Sequence, residues 1–374
     1  MDGIAKRTYW LLRQAAFRTR RHGQAIQRLF PVKIGICTRY TSHEAAFAAL
    51  RLADAAEEMG LDVEILTMTE EPAKLCPKWD ARVLRTLFVP FSRWSSYCDH
   101  VIWTTIPHPQ QIEWVKKAGI HTSIFVLWCE IERFHGRSMA LADTLLCPSN
   151  ACYSLLHTNG FKNAKYIPWD CGTPLHKKPA DHKPTNPKVL LPLWDGNPRK
   201  CELTVASLVD QCLWQNKDAE FTLVCNSSTL NPQAMKSFKL LQKQYARVTI
   251  VKKLPPQMRF KYFQSHDLTL CPFHYDNFGM TALQSIEMGT PVVGFGISPC
   301  TEFLHLSNSV LVPCQIEFND MRVPKVIPDY LMLEHALVKL LADPARIKLL
   351  QQTTSKNIMF RRGAFDKVLR SILL

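Results

Sequence analysis

A Gly-Met pair at 279 and 280, a glutamine at 284 and a Gly-Thr-Pro run at 289–291 stand close together in DNFGMTALQSIEMGTPVVGF, residues 276–295. The spacing predicts a short helix that starts near Gly279-Met280. Gly289 suits the left-handed position just past a helix end, and Pro291 prevents continuation. The first N–H groups of a helix lack internal partners and carry the positive end of its dipole, and Gly279 lets backbone approach a ligand closely. A phosphate is the natural occupant of such a place. Gln284 lies one turn on from Met280 and leans back toward the amino end, so it reaches a group beside that phosphate, as donor or acceptor.

Such a helix needs a sheet to deliver it. The strand DLTLCPF precedes the stretch and PVVGF closes it. Upstream, KVLLPLW, EFTLVC and RVTIVKKL are further apolar runs separated by helical stretches, and SVLVPC follows. The first half has the same grammar: VKIGICTRYTSHEAAFAALRLADAAEEMGLDVEILTM reads strand, loop, helix, Gly60, strand, and CDHVIWTTI, HTSIFVLW and DTLLCPS continue the alternation. Between the halves runs GTPLHKKPADHKPTNPK, rich in proline and nearly devoid of apolar residues, which reads as a linker. The expected architecture is α/β, two Rossmann-like doubly wound domains facing a cleft, and ligands of such sheets bind beyond the carboxyl ends of the strands. The expected divisions are 1–30 (a basic amphipathic helix), 31–172 (first domain), 173–188 (linker), 189–355 (second domain) and 356–374 (a terminal helix).

Composition sets the outer bounds. A chain of 374 residues suits two domains of roughly 100–200 residues each. Hydrophobic residues make up 47% and charged ones 21%, a globular balance, and no uncharged apolar run approaches the ~18 residues of a membrane span. The net charge is +14, and Lys6, Arg7, Arg13, Arg18, Arg20, Arg21 and Arg28 stand against Asp2 in the first thirty residues. That segment reads as a helix packed on the body of the protein, a helix lying on anionic lipid, or an organelle transit peptide. A basic surplus favours anionic partners: nucleotide phosphates, an anionic membrane surface, or nucleic acid. Thirteen cysteines without any C-x-x-C exclude a zinc ribbon and a thioredoxin motif. The odd count, with no secretory signal, points to a cytoplasmic, reducing compartment.

From Asp276 to Val293 the order resembles the C-terminal motif of retaining glycosyltransferases of the GT-B fold, sugar transferase family 4 and its relatives: E-x-F-G-L, a second Glu, then A-x-G-x-P-V-V. In this register Asp276 takes the first Glu position and Gln284 the second, with Phe278, Gly279, Gly289, Pro291, Val292 and Val293 in place. DTLLCPSNACYSLLHTNGFKNAKYIPWDCGTP is similar to the family's domain-crossing segment. HALVKLLADPARIKLLQQTTSKN is similar to its C-terminal helices, the last of which crosses back to the first domain. The resemblance implies a nucleoside-diphosphate sugar as donor, with residue 276 at the sugar, residue 284 at the ribose, and Phe278, Gly279 and Met280 lining the donor site. It implies an Arg and a Lys after the first strand of the second domain. In LWDGNPRKCEL Lys200 fits the Lys, Asp195 stands where Arg is expected, and Arg199 substitutes. It implies His108 facing the donor sugar and Glu302 touching that sugar or capping the helix begun by Thr301. His43-Glu44, in the loop after the first strand, reads as facing the acceptor or as a Glu drawn to a helix N-terminus.

The catalytic expectation therefore rests on His108, Asp276 and Lys200, and donor binding on Arg199, Lys200, Phe278, Gly279, Met280, Gln284 and Glu302. No metal and no cofactor are expected, because the helix dipole and basic residues stand in for a cation and the nucleotide sugar is a substrate. Retention in this fold is attributed to same-face attack in which the departing phosphate takes the acceptor proton. The expected acceptor is a glycolipid or surface-polysaccharide precursor, with the protein peripheral at the inner membrane face. The alternatives are transfer to a modified nucleic-acid base, in a host cytoplasm if the chain is viral, and an inactive nucleotide-sugar or nucleic-acid binding protein of the same fold.

Overall fold

A computed structural model describes residues 32–38, 43–68, 83–85, 91–127, 135–172, 185–194, 202–225, 231–252, 254, 258–274, 278–318, 324–354 and 359–374. The basic segment 1–30 and most of the proline-rich linker lie outside the described residues.

The first sheet has seven parallel strands: β1 (Lys33–Thr38), β2 (Asp62–Thr67), β3 (Val83–Arg85), β4 (His100–Trp103), β5 (His121–Phe125), β6 (Thr144–Cys147) and β7 (Ala164–Tyr166), in the order β3-β2-β1-β4-β5-β6-β7. The second has six: β8 (Lys188–Trp194), β9 (Glu220–Cys225), β10 (Val248–Lys252), β11 (Leu268–Cys271), β12 (Val292–Phe295) and β13 (Ser309–Val312), in the order β10-β9-β8-β11-β12-β13. Strands such as KIGICT and LTLC are buried residue after residue, as expected when helices cover both faces of a parallel sheet. An antiparallel ribbon of β14 (Gln315–Phe318) and β15 (Pro324–Ile327) is appended to the second sheet, where the Val326 N–H donates to the His274 carbonyl at 2.7 Å.

Helix α1 (His43–Glu58) follows β1 and carries seven alanines among its buried residues. Small side chains let its neighbours approach from several sides. One continuous core joins α1 and the first sheet to Phe278, Met280, Leu283 and Ile286 of the second half and to Phe365 and Leu369 of the terminal helix. At its centre Trp169 packs on Phe125, Phe278 and Phe365, with ring centroids 4.9, 5.3 and 5.4 Å away.

Beside that core, Arg51 of α1 reaches both places where the chain passes between halves. Its Nε donates to Asp170 at 2.7 Å, its other nitrogen donates to Asp366 at 3.0 Å, and the guanidinium lies 4.3 Å from the Phe365 ring centre. Gly172, at φ 68°, passes so near that a Cβ there would stand 2.7 Å from Arg51 Cδ. The terminal helix Met359–Leu373 is thereby fastened to α1. No helix among the described residues is long and apolar enough to cross a membrane.

Candidate functional site

In each sheet the strand order reverses once, between β1 and β4 and between β8 and β11. Loops leaving adjacent strands in opposite directions open a crevice there, at the carboxyl ends. In the first sheet this crevice floor is pinned by the Thr104 hydroxyl, which donates to the Thr38 hydroxyl at 2.7 Å, both buried.

His108 stands in the loop after β4, at the amino end of helix α2 (Pro109–Lys117). The loop is held by the Ser138 hydroxyl, which donates to the Pro107 carbonyl at 2.7 Å. His108 is exposed and caps α2: its Nδ1 accepts from the Gln110 N–H at 3.4 Å, while the Gln111 amide oxygen accepts from the His108 N–H at 2.9 Å. An accepting Nδ1 puts the proton of the neutral ring on Nε2. In this arrangement the neutral ring carries its N–H donor on Nε2, away from the helix it caps.

Helix α3 (Asn150–Thr158) follows β6 in the first half, and in the second sheet β11 leads to helix α4 (Met280–Glu287). Gly279 is its N-cap, at φ 72° and ψ 31°, and no side chain among the described residues caps the end. The left-handed backbone explains why glycine stands there. A Cβ would also fall 2.6 Å from Phe303 Cζ and 2.9 Å from Cys300 Sγ. The far end of α4 is fixed by Ser285, whose hydroxyl bridges the Thr269 hydroxyl and the Thr290 carbonyl, both at 2.7 Å.

Gln284 is 1% exposed, and its Oε1 has no hydrogen-bond partner among the described residues. Leaving a buried acceptor unsatisfied costs roughly 1–3 kcal/mol, a cost that a ligand's hydroxyl would remove. His274, at the end of β11, lies 3.3 Å from the Tyr330 hydroxyl through Nε2, and burial, with Lys325 nearby, lowers its pKa. Its only sequence signal is a histidine two positions before Asp276.

Three further sequence-predicted residues have defined surroundings. The Phe278 ring is buried among Phe125 and Trp169, where it packs the two halves together. Met280 is buried in the same core, leaving it only its backbone to offer. All eight residues of α4 are buried. The Glu302 carboxylate accepts from the Asn150 and Ala151 N–H groups of the other half, at 3.0 and 2.9 Å, at the start of α3. Unpaired N–H groups at a helix start attract the nearest carboxylate. Asp276, Arg199, Lys200 and Asp195 lie outside the described residues, and the side chains of His43 and Glu44 do too.

The comparisons with known proteins agree with this geometry. Residues 199–320, about a third of the chain, match the family model described as glycosyl transferases group 1. No curated protein matches the sequence. Among solved structures, sucrose-phosphate synthase from Thermosynechococcus elongatus aligns with a TM-score of 0.63 at 16% identity, over 91% of this chain and 97% of that one. The pneumococcal O-GlcNAc transferase GtfA, solved with UDP and GlcNAc, aligns with a TM-score of 0.66 at 8% identity, over 92% and 99%. S. aureus MnaA, solved with UDP, aligns with a TM-score of 0.61 at 11% identity, over 92% and 98%. At these identities the likeness establishes the GT-B fold, which the two reversing sheets already display.

Proposed function

We propose that the protein transfers a sugar from a nucleoside-diphosphate sugar to a hydroxyl of a glycolipid or surface-polysaccharide precursor, with retention and without a metal ion. The observation that carries this reading is the glycine-headed α4 at the crevice of the second sheet, with the buried Gln284 Oε1 awaiting a partner inside the segment that matches the family. The donor's pyrophosphate would meet the amino end of α4, with Arg199 and Lys200 opposing the charge that develops on the leaving phosphate oxygen. Gln284 would bind the ribose, Asp276 the sugar, and the Nε2–H of His108 a sugar hydroxyl. Same-face attack by the acceptor would hand its proton to the departing phosphate, so no side chain has to act as nucleophile. Closure of the crevice excludes the water that would otherwise hydrolyse the donor.

The experiment is release of free nucleoside diphosphate from a panel of donor sugars by the purified chain, with and without EDTA and with glycolipid or duplex acceptors. Release that survives EDTA and rises with a lipid-linked acceptor is the expected result. Release only with DNA would assign the acceptor to nucleic acid, which the +14 charge also suits. Absence of both binding and release with every donor would refute the reading.

A further inference from the structure

After β12 the chain turns through the short 3-10 segment Cys300–Glu302, and this turn touches both halves of the protein. On one side Cys300 and Phe303 fill the space beside Gly279 at the head of α4. On the other, the Glu302 carboxylate is seated on the first N–H groups of α3, at 3.0 and 2.9 Å. Helix α3 has no acidic residue in its first turn, and the Ser149 hydroxyl accepts from the Cys152 N–H, at 3.1 Å. Glu302 supplies, from the other sheet, the negative charge that this helix end lacks. Phe303 and Leu304, the next two residues, belong to the core shared by both halves. The carboxylate that grips α3 and the side chains that cover Gly279 thus lie within four residues of one turn.

We propose that Glu302 is a positioning residue, an interdomain clasp whose grip on α3 keeps the turn 300–303 over the head of α4, so that donor binding requires the clasp to let go. This rests on the reading of the α4 head as the pyrophosphate site. A binding-competent state populated only in part lowers apparent affinity by the fraction populated. Releasing the clasp therefore tightens nucleotide binding and loosens the register of the two halves, separating KM from kcat.

The test uses the full chain with Glu302→Ala and Glu302→Gln, and UDP and GDP as probes. Hydrogen exchange of the peptide spanning 278–287 and calorimetric titration of each nucleotide are read side by side. For Glu302→Ala the expected results are exchange faster by about tenfold, the weight of a pair of charge-assisted hydrogen bonds at a partly exposed site, and nucleotide binding tighter by a similar factor. A lower kcat with a lower donor KM should accompany them. Glu302→Gln keeps an accepting oxygen and should fall between. Unchanged exchange, or weaker nucleotide binding in the alanine variant, overturns the clasp, the latter by returning Glu302 to the donor sugar. If neither nucleotide binds any form, the donor reading fails, and the exchange rates alone decide whether the clasp exists.

Discussion

Acidification should unfold the first domain through one buried histidine. His100 opens β4, packs edge-on against His121 at 4.5 Å, and pairs through Nε2 with the Ser123 hydroxyl at 2.8 Å. Burial, helped by the neighbouring His121, pushes its pKa down to about 3. A histidine that stays neutral when folded and ionises freely when unfolded gives the unfolded state more bound protons, so stability is full above the unfolded pKa near 6.5 and falls as pH drops toward 3. Between about pH 7 and pH 4.5 the gap spans nearly two units, and at ~1.36 kcal/mol per unit the loss is about 2.5 kcal/mol. Asp143 adds little over that range. Burial opposes its ionisation, but Lys116 and Thr122 hold its pKa below the usual value, so its own contribution is lost only at lower pH. The assay is urea unfolding followed by tryptophan fluorescence, since Trp94 and Trp103 are buried in the same core. His100→Gln keeps a polar atom near Ser123 and removes the titration. The acid-induced drop in wild type should exceed that in the variant by about 2.5 kcal/mol, a urea midpoint difference of about 1 M at usual slopes. Parallel pH profiles for the two proteins would refute the reasoning, because His121 titrates in both.

Two further outcomes follow from residues whose partners are fixed. Asp170→Asn takes the charge from a fully buried partner of Arg51 and should lower stability by about 3–5 kcal/mol; a melting temperature within a degree of wild type would contradict this. His108→Asn keeps an N-capping side chain and removes the Nε2 donor, so stability should stay within about 0.5 kcal/mol while donor turnover falls about tenfold or more; an unchanged kcat would remove His108 from the sugar site.

The fold was legible because its signals are local. Strands covered on both faces show as unbroken apolar runs, and Gly279 and Pro291 are set by the backbone angles they must or cannot adopt. The partners of Glu302 and His100 were not legible. Glu302 is seated on N–H groups 151 and 152 residues away in the chain, and nothing near it in sequence announces them. His100 and His121 meet because β4 and β5 pair in register, a fact of strand alignment that periodicity does not carry. Phe278 was placed by its motif in a donor site, yet a large ring in a glycine-flanked loop turns to the nearest apolar neighbours, here Phe125 and Trp169.

The same ring sets a limit on how the crevice can work. Phe278 adjoins Gly279, so the residue that packs the halves together is bonded to the one that heads the proposed phosphate site. Exposing a phenylalanine of this kind costs roughly 1.5–3 kcal/mol, and Arg51 would resist any separation that pulled Asp170 and Asp366 apart. Arg259, buried over the Phe47 ring at 4.9 Å, adds a third tie between the second half and α1. A wide parting of the two sheets would break all three. Release of Glu302 from α3 costs far less, because that contact is partly exposed. The physically cheap way to reach the head of α4 is therefore release of Glu302 and Cys300 with Phe303 left in the closed core.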